Sequence, residues 1–135
     1  MIKTSNKKPP HFWIMKLFFR CDWERTAFGF GDTVYAKYKL PHHLIVHEEV
    51  HLQQQSYSYF LAWLWLLLYL ISKRFRYKME LQAYRKQYKA FNHHEKNTLI
   101  KKIAGDLSGR MYGNIVTFNE AVYAITTNDK EKEKK

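Results

Sequence analysis

Two histidines four residues apart, with a glutamate directly after the first, stand in His47-Glu48-Glu49-Val50-His51. On a helix, residues four apart share a face, so both imidazoles can reach one point about 2.0–2.1 Å away, the bond length zinc requires. Glu48 then stands beside such an ion, where a carboxylate can take a proton from a bound water whose pKa the metal brings from about 16 towards 7. Seven histidines and eight glutamates in 135 residues make a chance match to this spacing rare, roughly 0.02 per chain.

A catalytic zinc takes three protein ligands and keeps one position open. Cys21 is the single cysteine, which excludes a thiolate cluster and an intramolecular disulfide and leaves histidine or carboxylate as the third ligand. The longer HExxHxxGxxH pattern needs glycine and histidine where Gln54 and Tyr57 stand, so that arrangement is excluded. Glu80, in Met79-Glu80-Leu81, follows after one helix that can reverse the chain, and we favour it over Asp106, Glu95, Glu120 and the His93-His94 pair. Its plain alternative is one more surface charge on a basic helix.

Several elements must position these groups. Pro41 suits a first helical turn, and Leu44, Ile45 and Leu52 recur at helical spacing, which predicts a helix from about Pro41 to Gln55 carrying the motif. Ahead of it, after Gly29, Gly31 and Asp32, the run from Thr33 to Lys39 alternates as a strand does, with Val34, Ala36 and Tyr38 on one face. Phe12 to Arg20 fits a strand or a short buried helix. Further helices are predicted over Tyr57 to Ser72 and Tyr77 to Asn92. Another is capped by Asn97 and ended by a left-handed Gly109, and a last one over Phe118 to Ile125 is opened by the Thr117/Glu120 capping box. Residues 1–10, with Pro9-Pro10, read as a flexible arm, 11–127 as the single domain, and 128–135 as a disordered charged tail.

With its strand, its HEEVH helix and a later helix bearing Glu80, the chain resembles the gluzincin metallopeptidases of minimal, single-domain kind over roughly Thr33 to Tyr88. The resemblance implies a zincin-like α+β domain, mostly helical, with a short strand region before the active-site helix. It implies one Zn2+ per chain on His47, His51 and Glu80, with Glu48 as base and acid in hydrolysis of a peptide or protein substrate. Val34, Tyr35 and Ala36 would line the cleft, and an exposed strand edge there would bind extended peptide by adding a strand. In thermolysin-like enzymes an aspartate four residues after the ligand glutamate orients a zinc histidine; that place is Tyr84 here, and Gln54, one turn beyond His51, is a substitute. For the oxyanion donor the candidate is Tyr112, on a glycine-bearing loop, ahead of Tyr35, Tyr84 and His43. The rival reading is an inactive zinc-stabilised module that recruits a partner or membrane surface through a basic and aromatic face.

Composition bounds the remainder. Aromatic residues make up 17% of the chain, which argues for a ring-rich packed core. The net charge of +11 invites a nucleic-acid partner, but much of the excess sits in the flanks, Lys3 to Lys8 and Lys130 to Lys135, and we expect no such partner. Every residue from Tyr59 to Ile71 is apolar or aromatic, a run short of the roughly 20 that span a bilayer. We therefore expect a buried core helix there. Contact of residues 57–78 with a membrane surface is the alternative, carried by Trp63, Trp65 and Tyr69 followed by Lys73, Arg74, Arg76 and Lys78. No small-residue cleavage site follows the greasy N-terminal run, and the lone cysteine suits a reducing compartment, so the cytoplasm is the expected location.

Overall fold

The computed structural model describes residues 3–91 and 93–127. Strand β1 (Lys3–Ser5) is followed by α1 (Phe12–Phe19), the hairpin β2 (Phe28–Phe30) and β3 (Thr33–Tyr35), and then the helices α2 (His42–Gln54), α3 (Tyr59–Ile71), α4 (Lys73–Ala90), α5 (Lys96–Leu107) and α6 (Phe118–Thr126). The fold is α+β and mostly helical. Phe12–Phe19 resolves as helix, and α2 matches the predicted motif helix to within a residue at each end.

The three strands form one sheet in the order β1-β3-β2, with β1 parallel and β2 antiparallel to β3. The expected flexible arm is thus corrected in part, since Lys3–Ser5 pairs residue for residue with Thr33–Tyr35 and Lys3 Nζ lies 3.0 Å from Asp32. Three residues offer too short a run for strand alternation to be read. The charged tail from 128 lies outside the described residues.

Local chemistry sets the helix boundaries. Ser58 caps α3 by accepting from the Leu61 N–H, and Ser72 caps α4 by accepting from the Phe75 N–H, so α4 begins at Lys73, a turn before the predicted Tyr77. Ser72 is the one residue between α3 and α4, and its extended backbone turns the chain back. Arg76, buried on α4, donates from Nη1 to the Tyr69 and Leu70 carbonyls and thereby satisfies the free end of α3. The Thr117/Glu120 capping box forms as predicted. Two expectations for α5 are corrected: its cap position is Glu95, with no side-chain bond, and Gly109 has φ −84°, the left-handed glycine being Gly113 at φ 82°.

The expectation of a buried α3 holds for one face and is corrected for the other. Ala62, Trp65, Leu66 and Tyr69 face the core, while Phe60, at 80% exposure, and Ile71, at 71%, stand on the outside with Leu64 and Leu67. Among the described residues, no helix is long and apolar enough to cross a membrane.

Candidate metal site

Helices α2 and α4 pack against each other along most of their length, which brings the motif helix to Glu80. His47 Nε2 lies 3.1 Å from Glu80 Oε2, and His51 Nε2 lies 3.2 Å from Glu80 Oε1. Ligand atoms of the three residues all fall within 4.8 Å of one another, and all three side chains are buried, so they lie close enough to bind a metal ion. Of the sequence candidates for third ligand, Glu80 is brought to the histidines. Asp106 faces solvent beside Lys102, Glu120 serves the capping box, and Glu95 and His94 are exposed.

Each histidine is oriented from behind. His51 Nδ1 lies 3.0 Å from Gln54 Oε1, and the Gln54 amide is fixed because its Nε2 donates to the Met79 carbonyl. An amide oxygen only accepts, so His51 carries a proton on Nδ1 and directs Nε2 towards Glu80, where it can donate to the carboxylate when protonated or bind a metal through its lone pair. His47 Nδ1 is held in the same way by Gln87 Oε1 at 2.9 Å, and Gln87 Nε2 in turn donates to His43. Tyr69 Oη donates to Glu80 Oε1 at 3.0 Å.

This donor set fits a metal. The facing Nε2 and carboxylate oxygen atoms at 3.1–3.2 Å need positive charge between them, either a proton on the imidazole or a metal ion. Ligands about 2.1 Å from a tetrahedral ion stand about 3.4 Å apart, close to the two histidine–carboxylate separations. The titration of the cluster shows the same demand for positive charge. Burial opposes ionisation of Glu80, yet His51 and His47 hold its carboxyl well below the usual range. Burial likewise opposes the charged form of His51, but Glu80 and Glu48 overcome it and raise its pKa to about 9.

Glu48 is buried beside this cluster. Burial raises its pKa, partly countered by His47, His51 and a hydrogen bond from the Gly29 N–H. That bond needs β2 close against α2: a Cβ on Gly29 would stand 2.6 Å from the Glu48 carbonyl oxygen. Two turns along α2, Gln55 clamps the same strand, donating to the Gly29 carbonyl and accepting from the Gly31 N–H.

The residues expected to bind substrate sit differently. β3 is the middle strand, with β1 on one side and β2 on the other, so Val34, Tyr35 and Ala36 offer no open edge to a peptide. Val34 and Ala36 instead line a cavity of about 650 Å³ with Thr4, Tyr38 and Ile45, and none of the metal-site residues borders it. Tyr112 lies on a buried turn of 3-10 helix, close to Tyr69 and Tyr84, and does not ride a loop over the site. Tyr84 packs its ring 4.7 Å from His47, and Trp65 packs 5.3 Å from His51.

Sequence reasoning missed Gln87, Tyr69 and Gly29. Gln87 carried a usable signal, since it stands seven residues after Glu80 and so on the same face of the helix. No protein family profile, curated protein or solved structure matches the chain.

Proposed function

We propose that the chain is a zinc-dependent metallohydrolase cleaving peptide bonds, a minimal zincin-like enzyme that works in the cytoplasm. The observation that carries this reading is the meeting of His47, His51 and Glu80 beside a buried Glu48 that is not itself among the ligands. Two imidazoles and one carboxylate are a hydrolytic zinc's ligand set, and a purely structural site has no use for the adjacent glutamate. When bound, zinc supplies Lewis acidity, polarising a carbonyl and making water a nucleophile near neutral pH. Glu48, with its affinity for a proton raised by burial, takes the proton from the attacking water and passes it to the leaving amine. Gln54 and Gln87 hold the imidazoles in the required tautomer. Tyr112, buried beside Tyr69 and Tyr84, is the candidate oxyanion donor.

A second reading, a zinc-stabilised module without turnover, is favoured by the enclosure of the site, since each of the four polar side chains is less than a tenth exposed. One experiment separates the two: zinc content and cleavage of a peptide library for the wild type, His47→Ala and Glu48→Gln. The enzyme reading expects about one zinc per chain in the wild type and in Glu48→Gln, little in His47→Ala, and cleavage by the wild type alone. Zinc in the wild type without cleavage of any peptide establishes the second reading, and equal zinc in His47→Ala removes the site.

A further inference from the structure

Helix α3 has two apolar faces. At 100° per residue, Ala62, Trp65, Leu66 and Tyr69 centre on one side and Phe60, Leu64, Leu67 and Ile71 on the opposite side. The first face packs on the metal site, through Trp65 against His51 and Tyr69 on Glu80. Among the described residues no element covers the second: Leu64 and Leu67 are each about half exposed, and Phe60 and Ile71 more so. A soluble helix with a solvent face carries polar residues there, and this one carries none between Tyr59 and Ile71.

Helix α1 extends the surface. At its N-terminal end His11 stacks on Phe30, whose ring meets Trp63 at 5.0 Å, and at its C-terminal end Phe19 meets Tyr69 at 5.7 Å. α1 meets α3 through Phe19, and it turns Trp13, at 66% exposure, and Leu17, at 70%, outward. The acids nearest these helices, Asp22, Glu24 and Asp32, are each paired with a cation, Arg25, Lys37 and Lys3, so the charge left around them is positive. No aspartate or glutamate occurs from Met1 to Cys21 or from Val50 to Met79, while Lys16 and Arg20 on α1 and Lys73 and Arg74 at the end of α3 are exposed.

We propose that the outer faces of α1 and α3 form a membrane-docking surface that lies in the plane of an anionic bilayer, without crossing it. The chemistry selects this occupant. A broad apolar face with tryptophan at its border matches the headgroup and acyl boundary, into which such helices sink about 5–10 Å. The exposed lysines and arginines match anionic headgroups, each worth a several-fold gain in binding near the surface. At 13 residues α3 is about 20 Å long, which suits lying in the interface and not spanning it. A second copy of this chain would set Lys16, Arg20, Lys73 and Arg74 against their own kind.

The test is co-flotation of the full chain with vesicles of phosphatidylcholine alone and of phosphatidylcholine and phosphatidylglycerol in a three-to-one mixture. It is paired with the oligomeric state by sedimentation without vesicles. The monomer is expected to float with the mixed vesicles at least ~10-fold more strongly than with the neutral ones, and its tryptophan fluorescence to be quenched by brominated acyl chains. Leu64→Gln/Leu67→Gln, checked for an unchanged thermal melt, should abolish flotation, and Lys16→Glu/Arg74→Glu should lower it by ~10-fold or more. Absence of flotation, flotation that survives both variants, or absence of bromine quenching overturns the proposal. A stable dimer that ignores vesicles assigns the surface to a second copy and overturns it equally. Zinc content and peptide cleavage do not enter this readout, so the surface and the metal reading stand or fall separately.

Discussion

The packed helices α2 and α4, on one hand, and α1 and α3, on the other, invert the usual relation between polarity and burial, in opposite directions. Between them α2 and α4 bury His47, Glu48, His51, Arg76, Glu80 and Gln87, types that are seldom fully buried without a partner. Meanwhile α1 and α3 expose Trp13, Leu17, Phe60 and Ile71. What the difference teaches is that burial here follows local pairing more than residue class. The polar groups of α2 and α4 find one another through short hydrogen bonds, and the rings of α3 that face inward close the cluster off from water.

The largest effect should come from removing the centre of the polar pair. Glu80→Ala leaves two imidazoles buried without their counter-charge and should destabilise the fold by ~3–5 kcal/mol in urea titration, with zinc content falling from about one per chain to near none. Unchanged zinc would place the site elsewhere.

Next is a pH effect at the seam between the two pairs. Burial lowers the pKa of His11 to about 4 from the ordinary 6.5. The folded protein keeps this ring neutral where the unfolded chain protonates it, so the stability tied to it is present above pH 6.5. It drains as pH falls from 6.5 to 4, and then levels off. The loss should approach ~3 kcal/mol across that window, and His11→Phe, which keeps the stack on Phe30, should flatten this part of the stability profile. An equal slope in the variant would assign the dependence to other groups.

Gln55→Leu should remove both clamps on β2 and cost ~2–3 kcal/mol in urea titration, because the Gly29 carbonyl and the Gly31 N–H then lose their partner. The smallest effect belongs to the outer face: Leu67→Gln, exposed on α3, should change stability by no more than ~0.5 kcal/mol. A larger loss would show that this face is covered within the chain itself and would dissolve the contrast between the pairs.

The legible parts of this molecule were those carried by local spacing. The four-residue step of His47 and His51, the reversal that returns Glu80, the Gln54 amide one turn on and the Thr117 capping box all follow from helical periodicity. The illegible parts depend on what lies across from a side chain. An unbroken apolar run such as Tyr59 to Ile71 has no polar face to show which side is inward, so the exposure of Phe60 and Ile71 left no trace in the spacing. Strand β1 is three residues long and acquires its identity only by pairing with β3. Tyr69 looks like any other tyrosine until the partner helix is in place, whereas Gln87 had its seven-residue step from Glu80 to mark it.

The close approach of β2 to α2 extends the five-residue motif into a longer signature. Only glycine fits at position 29, where any side chain would press on the Glu48 carbonyl. A pattern joining Gly29 to His47, Glu48 and His51, then Gln55, Glu80 and Gln87, describes how the strand, the helix and the ligands hold one another. Chains that share this whole pattern should share the site. Saturation mutagenesis read out by folding and zinc retention should accordingly leave position 29 almost without permitted substitutes.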